Sequence, residues 1–449
     1  MSRYLFRVSN THFILPETFR NTKTKGGDKP EPRPAQNYTH PMNREQQGRK
    51  FHVVYLGESG FPIGLAAIQK TILLGKALAT SNARLTVINR KGKFKPGQPV
   101  QVEPEGEYEG IHYIYTSGTV YKPEGFLSRN IQKLRGIVQE FLYLRKLAQK
   151  GDLDAGIISC RDFIQVVLYR LYSQLLGFPI ALLYVEFASA MQHRQGWLTR
   201  INDYLFDNLM VKRMDAALPI SELLADNFRK VAPGKPIFKI PVICDFKPFE
   251  QPKREGQEPY FLYCGALDYK EVVDFILESY DRLPGHSDAK LHLLVSGGKK
   301  SQYEQLDADI RKMKKADKVR VFSNVPYSEL IDLYVNAIGL LIPLRPTLQD
   351  AARFPHKIGE YTAAANPIIT TKVGEVPHYF EDGETALVSD HYDASEYAAK
   401  MKFVVDHPQE AARIGQQGRE LGLREFNYLN YGPRLKTFLQ NLNGNGKHA

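Results

Sequence analysis

The stretch FPHKIGEYTAAANPII, residues 354–369, decides the fold prediction for this chain. Apolar and small residues recur at helical spacing after Pro355, which suits the first helical position, and Asn366-Pro367 is a helix stop. Residues 367–371 are then apolar and β-branched, which is typical of a parallel strand covered on both faces. The stretch therefore predicts one helix–strand unit of an open α/β sheet.

The start of this predicted helix is a candidate anion site. Backbone N–H groups near His356 and Lys357 lack partners within the helix, and the lysine charge would strengthen the binding of an anion. Glu360 lies one turn further on and could accept hydrogen bonds from two hydroxyls of a ribose. An ordinary helix–strand unit without a ligand explains the same residues, because helix N-termini are common.

Length and composition are those of a globular protein. A chain of 449 residues indicates two or three domains at roughly 100 to 200 residues each. With 43% hydrophobic and 24% charged residues, a disordered or fibrous protein is excluded. No apolar run approaches the roughly 20 residues that span a bilayer, and residues 1–15 lack a signal-peptide core, so we expect a cytoplasmic protein.

The cysteines and acidic residues give no indication of a metal site. Cys160, Cys244 and Cys264 are widely spaced and odd in number, which favours buried thiols over a disulfide or a metal centre. His and Asp residues do not cluster at ligand spacing. We therefore expect neither a metal ion nor a cofactor.

The net charge of +11 is unevenly distributed. Residues 1–249 carry 35 Lys and Arg against 21 Asp and Glu, a net charge of +14, whereas residues 250–449 carry 25 against 28, a net charge of −3. A basic half indicates an anionic partner, either a membrane surface or a phosphorylated acceptor. The chain has no recognisable nucleic-acid-binding module, so we expect no nucleic acid partner.

Strands alternate with helices twice over, which predicts two doubly wound, Rossmann-like α/β domains facing each other across a cleft. Residues 1–50 are predicted to form a partly flexible arm, 51–248 the N-terminal domain and 249–425 the C-terminal domain. Residues 426–449 are predicted to form a helix that crosses back to the N-terminal domain, followed by a flexible tail.

A glycine-bearing turn follows the first predicted strand, residues 51–56. Its glycines are not spaced as in a dinucleotide-binding fingerprint. Gly60 and Gly64 could instead let the backbone approach a ligand closely, with Ile63 beside it, although loop flexibility alone also explains them.

The predicted helix at residues 128–150 is amphipathic and strongly basic. Such a helix can lie on anionic lipid headgroups. It can also be a surface helix packed on its own sheet, and the sequence leaves both interpretations open.

Several motifs taken together resemble the retaining family-4 glycosyltransferases of the GT-B fold. They are PISELL at 219–224, the turn from Gly265 to Lys270, and FP-x-K-x-x-E-Y at 354–361, and GFPIGLAAIQKTILLGKAL at 60–78 resembles the acceptor-side loop and first helix of that family. The resemblance covers about residues 51–442. It implies that the C-terminal domain binds a nucleotide-sugar donor and the N-terminal domain an acceptor.

The resemblance also implies roles for individual residues. Glu360 matches the glutamate that holds the nucleotide ribose, and Lys270 matches the lysine near the donor diphosphate. Gly64 matches the loop glycine beside that diphosphate, and the helix start at His356-Lys357 matches backbone contacts to phosphate or sugar.

Two positions depart from the family pattern. Ala352 stands where many relatives have a glutamate beside the sugar, and Ala266 stands where many have an arginine directly after the glycine. Arg345, proposed from its place at a strand end, and Arg353 could supply the missing charge. Glu186, at another strand end, could orient the sugar or the acceptor hydroxyl, or be a structural carboxylate.

The implied activity is transfer of a glycosyl group from a nucleotide-diphosphate sugar, with retention, to a glycan, lipid-linked or other hydroxyl acceptor in surface polysaccharide or glycoconjugate synthesis. The implied location is the cytoplasm or the inner face of the cell membrane. Two alternatives stay open: a nucleotide-sugar epimerase of the same fold, and a nucleotide-sugar-binding protein without catalysis.

Overall fold

The computed structural model describes residues 48–64, 66–98, 100–191, 194, 196–284 and 287–444. Nearly all of the predicted N-terminal arm and the last five residues lie outside the described residues. Two parallel sheets with flanking helices form two Rossmann-like domains, which confirms the predicted α/β fold class. Within the described residues, no helix combines the length and apolarity needed to cross a bilayer.

The N-terminal sheet has seven strands in the order β3-β4-β2-β1-β5-β6-β7, parallel except for the antiparallel edge strand β3. The strands are β1 Phe51–Glu58, β2 Ala83–Asn89, β3 Glu105–Tyr108, β4 Ile111–Tyr115, β5 Ala155–Ile158, β6 Ile180–Tyr184 and β7 Ala216–Pro219. The helices of this part are α1 Ala66–Ala79, α2 Phe126–Gln149, α3 Phe163–Leu176, α4 Trp197–Leu205 and α5 Glu222–Val231.

The strand order places the helices on opposite faces of this sheet. The chain moves one way along the sheet from β1 to β2 and the other way from β4 through β5 and β6 to β7. Because such crossovers are right-handed, α1 covers one face and α2, α3 and α4 cover the other. The core agrees, since Val53 packs with Ile68 of α1, whereas Val54 packs with Leu144 of α2.

The C-terminal sheet has six parallel strands in the order β10-β9-β8-β11-β12-β13. The strands are β8 Tyr260–Ala266, β9 Lys290–Ser296, β10 Val319–Phe322, β11 Gly339–Ile342, β12 Ile368–Thr371 and β13 Leu387–Ser389. The helices are α6 Lys270–Asp281, α7 Lys300–Arg311, α8 Tyr327–Asn336, α9 Leu348–Ala352, α10 Lys357–Ala363, α11 Val376–Tyr379, α12 Ala394–Asp406, α13 Pro408–Glu425 and α14 Gly432–Gly444.

The last helix, α14, packs against the N-terminal domain. Leu435 and Leu439 are fully buried in the core of that domain, and Lys436 Nζ donates to the carbonyl of Ser81 at 2.8 Å. The chain therefore joins the two domains twice, once before β8 and once after α13. The exact domain limits stay predictions.

The helix of the opening stretch differs in its bounds from the prediction. It begins at Lys357 instead of Pro355, because His356 is the N-cap residue, and it ends at Ala363. Ala365 lies in the left-handed region with φ of 58° and turns the chain into β12. The three cysteines are free, Cys244 and Cys264 being buried and Cys160 partly exposed.

Candidate active site

The start of α10 brings three of the predicted residues together, on one turn and a half of helix. His356 is the N-cap, Lys357 the first helical residue and Glu360 the fourth. The N–H groups of Ile358 and Gly359 close the first turn onto the carbonyls of Pro355 and His356, at 3.0 and 3.1 Å. The backbone N–H groups of His356 and Lys357 are thus the ones placed to bind an anion.

Tyr361 fixes this helix against the two central strands of the C-terminal sheet. Its side chain is fully buried, and its hydroxyl accepts the N–H of Cys264 in β8 at 3.1 Å and faces the carbonyl of Leu341 in β11 at 3.5 Å. α10 is therefore held beside two parallel strands, near the carboxyl ends where open α/β sheets bind ligands.

Lys70 is a functional candidate that the sequence reasoning missed. It lies on α1 with only 3% of its surface exposed, and its Nζ has no hydrogen-bond partner within the described residues. Burial lowers the pKa of Lys70 to about 7. The available signal was a lysine in the first half of the largely apolar helix that follows the glycine turn.

Lys70 of the N-terminal domain lies close to the start of α10 in the C-terminal domain. Burial, followed by the charges of Lys70 and Lys357, lowers the pKa of His356 to about 3. The imidazole of His356 is thus neutral at physiological pH and does not repel Lys70. The charges of two amines from different domains thus act on one helix start, an arrangement suited to an anion with several oxygens.

The pKa of Glu360 is also shifted by its surroundings at the start of α10. Its side chain is half-buried, and burial raises its pKa, while the nearby charge of Lys357 opposes that rise. Burial and the charge of Glu360 raise the pKa of Tyr327 at the start of α8. Glu360 thus lies beside a phenol and an ammonium group, where it can accept hydrogen bonds from hydroxyls.

Asn89 holds the glycine turn that contains Gly64 and Ile63. The Asn89 side chain is fully buried, and its Oδ1 accepts the N–H groups of Gly60 and Phe61 at 3.0 and 3.2 Å. Gly60 has φ of 95°, a conformation that glycine adopts without strain. A Cβ atom added at Gly64 would lie 2.4 Å from Ile68, so a side chain there would displace the start of α1.

Lys270 is placed apart from this group. It is the first residue of α6, its side chain is 47% exposed, and its Nζ lies 2.7 Å from Asp274 Oδ2 and 3.1 Å from Asp309 Oδ2 of α7. The charge of Lys270 is therefore compensated by two carboxylates.

Arg345 and Arg353 share one buried carboxylate. Arg345 Nε lies 2.9 Å from Asp350 Oδ2, and Arg353 Nη2 lies 2.7 Å from Asp350 Oδ1. Arg345 also pairs with Glu271 at 2.6 Å, and both guanidinium groups lie over the ring of Tyr269, with Arg353 bonding its hydroxyl at 2.9 Å. Hydrogen bonding to Asp350 raises the pKa of Arg345. These five residues form a compensated ion-pair cluster.

The remaining predicted residues have structural partners of their own. Glu186, in the loop after β6, pairs with Arg161. Ala352, where a carboxylate was expected from the family pattern, is fully buried, and its carbonyl accepts the hydroxyl of Ser221 at 2.6 Å. Gly265 lies within β8, where an added Cβ atom would clash with the Tyr263 ring.

The described residues contain no group of three His, Cys, Asp or Glu side chains suited to a metal ion. Two Asp-x-Asp sequences do occur, at 152–154 and 307–309. Their carboxylates pair with cations, for example Asp154 with Arg49 at 2.5 Å and Asp309 with Lys270. Metal independence stays a prediction.

Residues 245–421 match the family described as glycosyl transferases group 1. The match covers most of the C-terminal domain, which is called the group 1 domain below. This group 1 domain contains α10 and the ion-pair cluster around Asp350, whereas Lys70 and the glycine turn come from the other domain. No curated protein matches the chain in sequence.

Solved structures similar to this chain extend the likeness to both domains. Sucrose-phosphate synthase from Thermosynechococcus elongatus superposes with a TM-score of 0.67 at 17% identity, covering 88% of this chain and 100% of that one. A glycosyltransferase from Rickettsia africae gives 0.63 at 14% identity, covering 89% and 100%. Anabaena HepE in complex with UDP-glucose gives 0.61 at 11% identity, covering 87% and 99%. At sequence identities of 11–17%, these similarities establish the fold of the two domains and nothing further.

Proposed function

We propose that this protein is a glycosyltransferase that moves a sugar, with retention, from a nucleotide-diphosphate sugar to a hydroxyl acceptor. The observation that carries the proposal is the buried, unpartnered amine of Lys70 beside the start of α10. The group 1 domain and the UDP-glucose bound by the structurally similar HepE support a donor of this class.

The donor diphosphate would lie between Lys70 and the start of α10. As the bond between the sugar and the diphosphate breaks, negative charge builds on the departing phosphate oxygen. Lys70, Lys357 and the N–H groups of the helix start would stabilise that charge in a site from which water is largely excluded. We propose on this basis that no metal ion is needed.

The cations named from the sequence would contribute differently. Lys270 and Arg345 could reach a diphosphate only by giving up ion pairs with Asp309 and Asp350. The Arg345–Asp350 pair is buried, so breaking it leaves an uncompensated charge, which is unfavourable, whereas the exposed pairs of Lys270 would be lost at little cost. The charge on the leaving group is assigned first to Lys70 and Lys357, and the Arg345 cluster is assigned to shaping the domain.

Glu360 would hold the ribose of the nucleotide through its carboxylate. Glu186, whose carboxylate is fixed by Arg161, would orient the acceptor hydroxyl at the N-terminal domain. The acceptor is proposed to be a glycan or lipid-linked hydroxyl in surface polysaccharide synthesis, with the protein in the cytoplasm at the inner face of the membrane. These finer assignments rest on the family resemblance.

Calorimetric titration with UDP and GDP, followed by turnover assays with a panel of nucleotide-sugars, tests the proposal. Lys70→Met should weaken nucleotide diphosphate binding at least about tenfold and reduce transfer further, because charge-assisted hydrogen bonds to phosphate are lost. Lys315 is a matched control. It is also buried, but it donates to the carbonyls of Tyr280 and Leu283 far from α10, so Lys315→Met should leave nucleotide affinity unchanged.

A nucleotide-sugar-binding protein without catalysis is the second candidate, because Ala352 and Ala266 lack the charges common in the family. Nucleotide binding without turnover of any donor would favour it over the transferase. An epimerase would convert the donor without an acceptor, which product analysis distinguishes.

A further inference from the structure

The face formed by α2, α3 and α4 is unusually apolar for a protein surface. Fourteen large apolar side chains on these helices are exposed, out of nineteen among all the described residues. They are Phe126, Leu127, Ile131, Leu134, Val138 and Leu142 on α2, Ile164, Val167, Leu171 and Leu175 on α3, and Trp197, Leu198, Ile201 and Tyr204 on α4. We call this surface the apolar face.

The three helices form one continuous surface. All of them cover the same face of the N-terminal sheet. Phe141 of α2 packs on Tyr172 of α3 with ring centroids 5.2 Å apart. The N–H of Phe163, the first residue of α3, donates to Asn202 Oδ1 of α4 at 2.8 Å. Apolar surface of this extent on a soluble protein marks an interaction site.

The exposed charges within the three helices have one sign. Exposed cations on the three helices are Arg145, Lys133, Lys146, Arg135 and Arg200. These helices are described in full, and their only acidic residues, Glu140 and Asp203, are buried and paired with Arg90 and Arg194. The helices thus offer apolar side chains and exposed positive charge, and the nearest exposed carboxylates, Glu124 and Asp162, lie just before the starts of α2 and α3.

This combination selects among possible partners. A second copy would bring the same positive charges to the same place, so self-association through this face is opposed by repulsion. An anionic bilayer complements both properties, because its headgroups attract lysine and arginine while apolar side chains enter the acyl boundary. Trp197 and Tyr204 are residue types enriched at that boundary.

We propose that the apolar face docks the protein on a bilayer containing anionic phospholipid. The face adjoins the proposed acceptor side, since Asn202 Nδ2 of α4 donates to the carbonyl of Arg161 at 2.9 Å and Arg161 pairs with Glu186. Docking would present the acceptor side of the protein to a hydroxyl acceptor anchored in the same bilayer, and this step rests on the proposed function.

Vesicle flotation of the full chain tests the docking. Vesicles of phosphatidylcholine alone are compared with vesicles in which one third of the lipid is phosphatidylglycerol. We expect the protein to float with the anionic vesicles, much less with the neutral ones, and less at high salt, because exposed charges are screened. A wild-type protein that stays at the bottom of the gradient with anionic vesicles overturns the proposal.

Two variants with matched controls locate the binding surface. The triple variant Leu127→Gln, Ile164→Gln and Trp197→Gln changes side chains that are 70% or more exposed, so folding is preserved. It should weaken binding at least about tenfold, whereas Leu423→Gln with Leu429→Gln, exposed outside the apolar face, should leave binding unchanged.

The charge-reversal variant Lys133→Glu with Lys146→Glu should lower binding by about tenfold or more. Its control is Lys300→Glu with Lys314→Glu on the C-terminal domain, which should bind as the wild type does. Equal flotation of either test variant and its control contradicts the proposal.

Two further measurements separate this proposal from its rivals. Analytical sedimentation could show that the wild type is a dimer and the triple variant a monomer. That result, together with no vesicle binding by the wild type, would assign the apolar face to a protein partner and overturn membrane docking. UDP affinity of the triple variant should equal that of the wild type, because the face lies outside the donor site. If the wild type does not bind UDP, the proposed function is overturned, but the flotation result still holds.

Discussion

Lys239 of the N-terminal domain and Glu375 of the C-terminal domain form an ion pair, with Nζ and Oε2 2.6 Å apart. Glu375 is 1% exposed, and its other oxygen accepts the N–H of Glu222 at the start of α5, also at 2.6 Å. Burial is the largest single influence on the pKa of Lys239 and lowers it, but the interactions with Glu375, Tyr379 and Glu222 together outweigh burial and raise the pKa. One carboxylate after β12 thus ties the two domains together.

Removing this carboxylate should destabilise the protein. Glu375→Ala leaves the Glu222 N–H without its partner and the Lys239 amine with Glu222 Oε1 alone, at 3.0 Å, and breaking one side of a buried pair costs about 3–5 kcal/mol. We expect a lower thermal unfolding midpoint. Glu384→Ala, which removes an exposed carboxylate paired with Arg413 at 3.0 Å, should lower the midpoint little. Equal shifts in the two variants would contradict the role assigned to Glu375.

Lys70 should make stability depend on pH. Its pKa is about 7 in the folded protein and 10.5 in the unfolded chain, so between these values only the unfolded chain holds the proton. The free energy of unfolding should therefore fall as pH drops from about 10.5 to about 7, with the full destabilisation present below 7. In Lys70→Met this contribution is absent, so the variant should be the more stable protein at pH 7 and lose that advantage above pH 10.5.

The same pKa predicts proton uptake on ligand binding. A diphosphate beside Lys70 favours the charged amine, so at pH 8 binding of UDP should draw in up to about one proton that Lys70→Met does not take up. Calorimetry in buffers of different ionisation enthalpy measures this difference, and comparing the two proteins cancels the titration of UDP itself. Identical proton uptake by both proteins would place Lys70 away from the diphosphate.

The order of strands and helices was predictable from the sequence because apolar periodicity is local. The strands expected at residues 51–56 and 367–371 are present as β1 Phe51–Glu58 and β12 Ile368–Thr371. The short helix α9 was missed, since five residues carry too little periodic signal. The distant partners of Lys270 and Arg345 could not be predicted, because Asp309 and Glu271 lie 39 and 74 residues away in the chain.

The burial of Lys70 was equally hidden from sequence reasoning. A lysine on an amphipathic helix is normally solvated, whereas Lys70 is only 3% exposed. The helix start at His356 and Lys357 could be found from its local pattern, but the amine facing it depends on the packing of two domains. The roles assigned to the individual site residues stay predictions.

The ion-pair cluster around Asp350 has either a structural or a catalytic role, and a variant of Asp350 distinguishes the two. Asp350 is 1% exposed and compensates both Arg345 and Arg353, so Asp350→Ala leaves two arginines poorly compensated and should cost about 3–5 kcal/mol of stability. We expect a large fall in the thermal unfolding midpoint, measured by circular dichroism. The control is Asp390→Ala, which removes an exposed carboxylate that pairs with Lys372 and should change the thermal unfolding midpoint little. Unchanged stability of Asp350→Ala with lost turnover would instead make the cluster part of the catalytic machinery.

Glu360 should act on the ribose and not on the diphosphate. Glu360→Gln keeps the shape of the side chain but loses charge-assisted hydrogen bonds, so its affinity for UDP should fall by about 1.5–3 kcal/mol, roughly tenfold or more. Inorganic pyrophosphate has no ribose, and its affinity should be equal in variant and wild type. In a competition assay, 2′,3′-dideoxy-UDP should bind both proteins alike, because the hydroxyls that Glu360 would accept from are missing. A variant that discriminates between UDP and the dideoxy nucleotide as strongly as the wild type would show that another residue holds the ribose.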